Sequence, residues 1–129
     1  MPRKTFTAGD VLTAADVNLY LSNEITLVSS TATAVSVVAD DRYKSLRLTS
    51  ASAVTVTFGT ATAFEPGERI DIIQDGAGTV TITRDGTAVS LAGRGTAGTA
   101  YTIGQQYDAV SVVCVDTNAY RIIGNATAV

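Results

Sequence analysis

Gly93-Arg94-Gly95-Thr96-Ala97-Gly98 reads G-x-G-x-x-G, and Asp116 lies at a suitable distance beyond it. In a dinucleotide site the glycines let the backbone approach a pyrophosphate, which rests on the N-terminal amides of the helix that follows. Here Thr99-Ala100-Tyr101-Thr102-Ile103-Gly104 follows, a strand and turn pattern with no helix start. The match therefore carries no dinucleotide chemistry, and the segment reads as a flexible loop between strands. If it projects, it offers a contact for a neighbouring subunit, with Arg94 as the candidate residue. Tyr101 and Tyr107 flank Gln105-Gln106. Tyrosines so placed suit either an interface or ordinary packing, and Tyr101 is a second candidate contact.

The other reactive residues do not converge. The chain has no histidine, which removes Ser–His and Cys–His nucleophile pairs and the commonest zinc ligand. Cys114, the single cysteine, lies in the apolar run Val112-Val113-Cys114-Val115, where a buried thiol acts as a small hydrophobe. Asp40-Asp41 and the pair Glu65/Glu68 stand beside turns and read as solvated turn residues. Asp71, between Ile70 and Ile72, faces solvent or pairs across a sheet, and an ion pair suits it better than catalysis. No catalytic, cofactor-binding or metal-binding residue is assigned, and the expectation is a protein that is not an enzyme and uses no cofactor.

What positions these residues follows from composition and pattern. A chain of 129 residues fits one domain, able to bury roughly two-thirds of its unfolded surface. Charged residues are 16% of the chain against a usual share of about 25%, so the polar face must be built from Thr, Ser, Asn and Gln. Such a surface is easily buried against another protein and points to a structural or assembly role. A net charge of −3 argues against a general nucleic-acid binder, which needs a basic footprint. Arg3 and Lys4 form a small basic start, either a solvated terminus or an arm that docks on an acidic neighbour. No apolar stretch approaches a transmembrane span, and Arg3-Lys4 is followed by Thr-Phe-Thr-Ala-Gly-Asp rather than an apolar leader core. The expectation is synthesis in the cytoplasm and no membrane partner.

Residues 1–12 read as extended. Thr13 fits an N-cap with Asp16 three residues on, at the positive end of the helix dipole. The spacing of Val17, Leu21 and Ile25, with Tyr20 beside them, predicts a helix over about 14–23. A helix this short must pack on something. It covers one end of its own domain, or it forms a docking element with the arm. Residues 26–34 read as a connection. Strands are then predicted at 34–39, 45–49, 53–58, 69–74, 79–84, 88–91, 100–103, 109–115 and 119–123. Val54, Val56 and Phe58 face one way with Thr55 and Thr57 opposite, and Val80 and Ile82 alternate with Thr79, Thr81 and Thr83. Pro66-Gly67 fits the centre of a type II turn. Asp85-Gly86 and Asp75-Gly76-Ala77-Gly78 read as hairpin loops, making 69–91 a three-stranded meander, and Asp116-Thr117-Asn118 closes a last hairpin over 109–123. The fold class is mainly β: a short N-terminal arm and helix, then an antiparallel β-sandwich or barrel of about 8–9 short strands.

Phe6-Thr7-Ala8-Gly9-Asp10 with Leu12-Thr13-Ala14-Ala15-Asp16-Val17-Asn18 resembles a segment near the N-terminus of small virion structural proteins of tailed bacteriophages. A second resemblance to such proteins covers 54–123. It rests on the Thr-Val-Thr-rich Val54–Phe58, the turn Phe64-Glu65-Pro66-Gly67, the strand Ile70–Gln74 with Asp75–Gly78, the loop Gly93–Gly98, and Gln106-Tyr107 before Ala109–Ile123. The chain departs by inserting Glu65 before Pro66 and by carrying Tyr120 where tryptophan is expected. The resemblance implies a capsid decoration (cement) protein on the virion surface, a homotrimer whose partner is the major capsid protein and which stabilises the shell by binding only its assembled form. Residues 1–25 would then be the docking element, with Arg3, Lys4, Phe6, Leu12, Val17, Tyr20 and Leu21 facing the shell, and residues 26–129 the β domain that forms the trimer. Similar modules occur on heads and tails, so a tail or fibre component that meets the host surface is an alternative, and a carbohydrate-binding β module a further one.

Overall fold

A computed structural model describes residues 5–17 and 25–129. Every strand that alternation predicts is formed, with ends in place or moved by one or two residues: Ala34–Val37 (β2), Lys44–Leu48 (β3), Val54–Phe58 (β4), Arg69–Gln74 (β5), Val80–Arg84 (β6), Ser90–Gly93 (β7), Ala100–Ile103 (β9), Asp108–Asp116 (β10) and Ala119–Gly124 (β11). Three further strands lie where no strand was expected: Thr26–Ser30 (β1), Thr96–Gly98 (β8) and Ala126–Ala128 (β12). The N-terminal helix α1 begins as the Thr13 cap predicts and is described over Ala14–Asp16. Residues 18–23 of the predicted helix, with Tyr20 and Leu21, lie outside the described residues, as do Arg3 and Lys4.

The fold is mainly β and built of two layers. One sheet runs β1-β3-β5-β10-β11-β7-β8 and the other β12-β9-β6-β4-β2. The sheets are mixed rather than antiparallel: five of the ten pairings are parallel, β1 with β3, β3 with β5, β2 with β4, β4 with β6, and β7 with β11. The cause is the path of the chain. From β1 to β6 it alternates between the sheets, so β1/β2, β3/β4 and β5/β6 are three stacked rungs of a short two-sheet coil. A rung cannot bury its apolar face alone, and stacking joins the faces into one core. Two inward ladders result, Val28-Leu46-Ile72-Val110 in one sheet and Val35-Val56-Ile82-Tyr101 in the other. The second half of the chain closes the coil, with β10 antiparallel on β5 and β9 antiparallel on β6.

This path corrects the meander expected over 69–91. β5 and β7 lie in one sheet and β6 in the other, so Asp75–Gly78 and Asp85-Gly86 carry the chain across the sandwich instead of reversing it within a sheet. The Asp75–Gly78 corner stacks on the corner below: Asp75 and Gly76 N–H donate to Leu48 O, and Gly78 N–H donates to Ser50 O at 3.0 Å. A Cβ at Gly76 would overlap the Thr49–Ser50 backbone, and one at Gly78 the Ser52 carbonyl. The other turns form as read. Glu68 N–H donates to Glu65 O at 2.9 Å across Pro66-Gly67, with Gly67 at φ +93°. β10 and β11 close as an antiparallel hairpin with Asn118 in the left-handed region.

Candidate functional site

The N-terminal element is held by its own short-range bonds. Thr7 N–H donates to Asp10 Oδ2 (2.9 Å) and Asp10 N–H to Thr7 O (3.1 Å), around Gly9 at φ +93°. Thr13 Oγ1 accepts from Asp16 N–H at 3.1 Å, and Asp16 Oδ2 accepts from Thr13 N–H at 3.2 Å, a reciprocal capping box that satisfies donors the first turn leaves unpaired. No residue of α1 is buried. Phe6, Leu12 and Val17 are 39%, 52% and 43% exposed, with Val11 more open still. The three described candidates of the arm thus share one solvent-facing segment, and Val11, whose signal in the sequence is its place beside Leu12, joins them.

The other two candidates divide. Gly93–Gly98 is not a flexible loop but a two-residue hairpin joining β7 to β8, with Arg94 at φ +50° and Gly95 at φ +79°, as a type I′ turn requires. Arg94 stands exposed at its tip, where Nη1 donates to Asn125 Oδ1 at 3.3 Å. It rims an open depression of about 420 Å³ that also borders Thr96 and Thr127. Tyr101 is fully buried and is no surface contact. It sits at the end of an inward ladder, its hydroxyl donates to Thr96 O at 2.6 Å, and its ring lies against Gly93 and Gly98. Its work is to hold the β7–β8 hairpin on the sandwich. Tyr107, its fellow beside Gln105-Gln106, is 76% exposed at φ +68°.

Glu68 and Asp71 are held in contacts with their neighbours. Glu68, expected to be solvated, is buried: Oε2 pairs with Arg42 Nε at 2.9 Å, and Oε1 accepts from Glu65 N–H. The pair ties the Ala39–Asp41 turn to the Pro66-Gly67 turn. Asp71 accepts from Ser111 Oγ and from Arg69 Nη2 on the outer face of the larger sheet, an ion pair as expected. Cys114 is buried, with Sγ 3.2 Å from Phe64 O. Burial pushes its thiol up from its ordinary value, against a lowering hydrogen bond from the Asp116 backbone and aided by the negative charges of Glu68 and Asp116. Tyr120 fills the core between Phe58 and Phe64, at ring separations of 5.3 and 6.0 Å. Among the described residues no group of acidic, cysteine or histidine side chains is placed to hold a metal ion, and no helix is long and apolar enough to cross a membrane. Comparison of the chain with protein-family models, with curated proteins and with solved structures finds no match.

Proposed function

We propose that this chain is a non-enzymatic virion structural protein of a tailed bacteriophage, a capsid decoration protein that binds the assembled shell as a homo-oligomer through its N-terminal element. The observation that supports this reading is the capped, solvent-facing segment from Phe6 to Val17, whose apolar side chains are presented rather than buried. Burying about four such side chains at a partner yields a few kcal/mol per copy. Multivalent attachment then multiplies it. The trimeric state and the major capsid protein as partner come from the sequence resemblance. A ligand of the assembled shell alone stabilises it by mass action.

The test is quantitative mass spectrometry of purified particles, with the major capsid protein as internal standard. A simple ratio to that protein is expected; absence from the particle overturns the reading. Deleting residues 2–12 should leave the β body folded and abolish shell binding. A second reading, a tail component that meets the host surface, has one observation in its favour: Tyr107 is exposed on the loop entering β10. A few copies per particle, together with glycan binding lost in Tyr107→Ala, would select it.

A further inference from the structure

The two sheets end differently at their two ends. At one end the edge strands are β8 and β12, three residues each, too short to template much pairing. At the other end, among the described residues, both sheets stop at the first rung, β1 in the larger sheet and β2 in the smaller. Neither Thr26-Leu27-Val28-Ser29-Ser30 nor Ala34-Val35-Ser36-Val37 holds a charge or a proline, the usual devices that blunt an edge.

The direction of the free main-chain groups is fixed. Ser30 O accepts from Thr49 N–H on the β3 side, and Thr33 O accepts from Thr55 N–H on the β4 side. Main-chain groups alternate sides along a strand. Leu27 and Ser29 in β1, and Ala34 and Ser36 in β2, therefore turn their N–H and C=O outward. Between the two edges Val28 and Val35 are only partly buried and, among the described residues, line a cavity of about 180 Å³ with Leu46 and Ile70. The charged residues at its rim, Asp41 and Lys44, pair with each other at 3.2 Å.

We propose that this end is a two-fold self-association site, and that its occupant is the same end of a second copy of this chain. A single added strand can pair with one edge only, so filling both needs a partner that presents two strands in one cross-section, which a second rung end does. Val28 lies midway between Leu27 and Ser29, and Val35 midway between Ala34 and Ser36. A two-fold axis normal to the sheets, passing midway between Val28 and Val28 of the second copy and between Val35 and Val35 of the second copy, sets Leu27 opposite Ser29 of the second copy and Ala34 opposite Ser36 of the second copy. Both edges then pair antiparallel in hydrogen-bonding register at once, and the valines close the core against their own copies. The association is isologous. It is distinct from the threefold contact that the sequence resemblance implies, and it does not depend on the virion reading.

The experiment is sedimentation of the full chain over a concentration series, with amide hydrogen exchange read residue by residue. The wild type is expected at the mass of an even number of chains, with slow exchange at Leu27, Ser29, Ala34 and Ser36. Ser29→Pro/Ser36→Pro removes outward donors alone, a substitution an edge tolerates, and should raise the midpoint of association at least about tenfold. Ser29→Lys/Ser36→Lys should do the same by charge should the proline variant fail to fold. A monomeric or odd-numbered wild type overturns the proposal. So does undiminished association of a folded variant. Slow exchange of the four amides in a monomer overturns it as well, since another part of the same chain then occupies the edges.

Discussion

Arg42 and Glu68 meet as a buried ion pair, Nε to Oε2 at 2.9 Å, their side chains 4% and 10% exposed. They join two turns far apart in sequence. Arg42 Nη1 also donates to Ala39 O at 2.7 Å, and Glu68 Oε1 accepts from Glu65 N–H. Removing one partner strands the other charge away from water, whereas removing both strands neither. Arg42→Met is expected to cost about 3–5 kcal/mol in urea denaturation. Arg42→Met/Glu68→Leu should recover a large part of that loss. A single variant that costs under about 1 kcal/mol, the range of a solvent-exposed pair, would show that water reaches the pair.

Gly78 is set by the stacking of rung on rung. Its φ is not in the left-handed region, so backbone freedom is not what it supplies. It leaves room for the Ser52 carbonyl of the corner below, which a Cβ would overlap. Because the obstacle is backbone, Gly78→Ala must separate two corners that the Gly78 N–H to Ser50 O bond holds together. A loss of about 3 kcal/mol, at the upper end of overpacking costs, is expected from thermal or urea unfolding. Gly67→Ala is the comparison. It meets no atom within 4 Å and should cost only its positive φ, about 1 kcal/mol.

These two corners also mark what the sequence could and could not convey. Alternation located Val54–Phe58 and Val80–Arg84 because a strand with one dry and one wet face writes its period into the chain. It could not say that β4 and β6 are parallel neighbours, since the period is the same for either direction. Asp75–Gly78 has the residues of a hairpin loop, and the requirement that made it a corner, a close approach of Thr49–Ser52, lies far away in sequence. β1 and β12 escape the pattern because Thr26–Ser30 and Ala126–Ala128 carry few large apolar side chains, and of their residues only Val28 and Ala126 belong to the hydrophobic core. In the candidate site, the Thr13–Asp16 cap was legible because its bonds are local. The burial of Tyr101 was not, because it is set by the ladder from Val35 through Val56 and Ile82.

The β7–β8 hairpin carries a residue poorly suited to its turn. A type I′ turn needs positive φ at both central positions, which Arg94 and Gly95 adopt at +50° and +79°. Arginine pays the steric cost of that region, while asparagine tolerates it. Arg94→Asn forfeits only an exposed 3.3 Å bond to Asn125. The variant is expected to be more stable by about 0.5–1 kcal/mol, seen as a raised urea midpoint with unchanged slope. A lowered midpoint would mean that the contact with Asn125 outweighs the turn preference.

Alkaline pH should probe the core through Cys114 and Tyr120. Burial raises both, the thiol above its ordinary 9.0 and the phenol above its ordinary 10.0. In the unfolded chain each ionises at its ordinary value, so above that pH the folded state holds protons that the unfolded state has released. Stability then falls as pH rises, by at most about 1.4 kcal/mol per pH unit for each group. The contribution is whole below pH 9 and is lost as pH climbs through the raised values of the folded state. Cys114→Ala removes the thiol's share of the slope while leaving that of Tyr120. Urea unfolding from pH 7 to 11 should therefore give wild-type and variant curves that lie apart at neutral pH, by the cost of the lost side chain, and converge as pH rises. Parallel curves across the whole range would show that the thiol titrates alike in both states and that solvent reaches it in the folded chain.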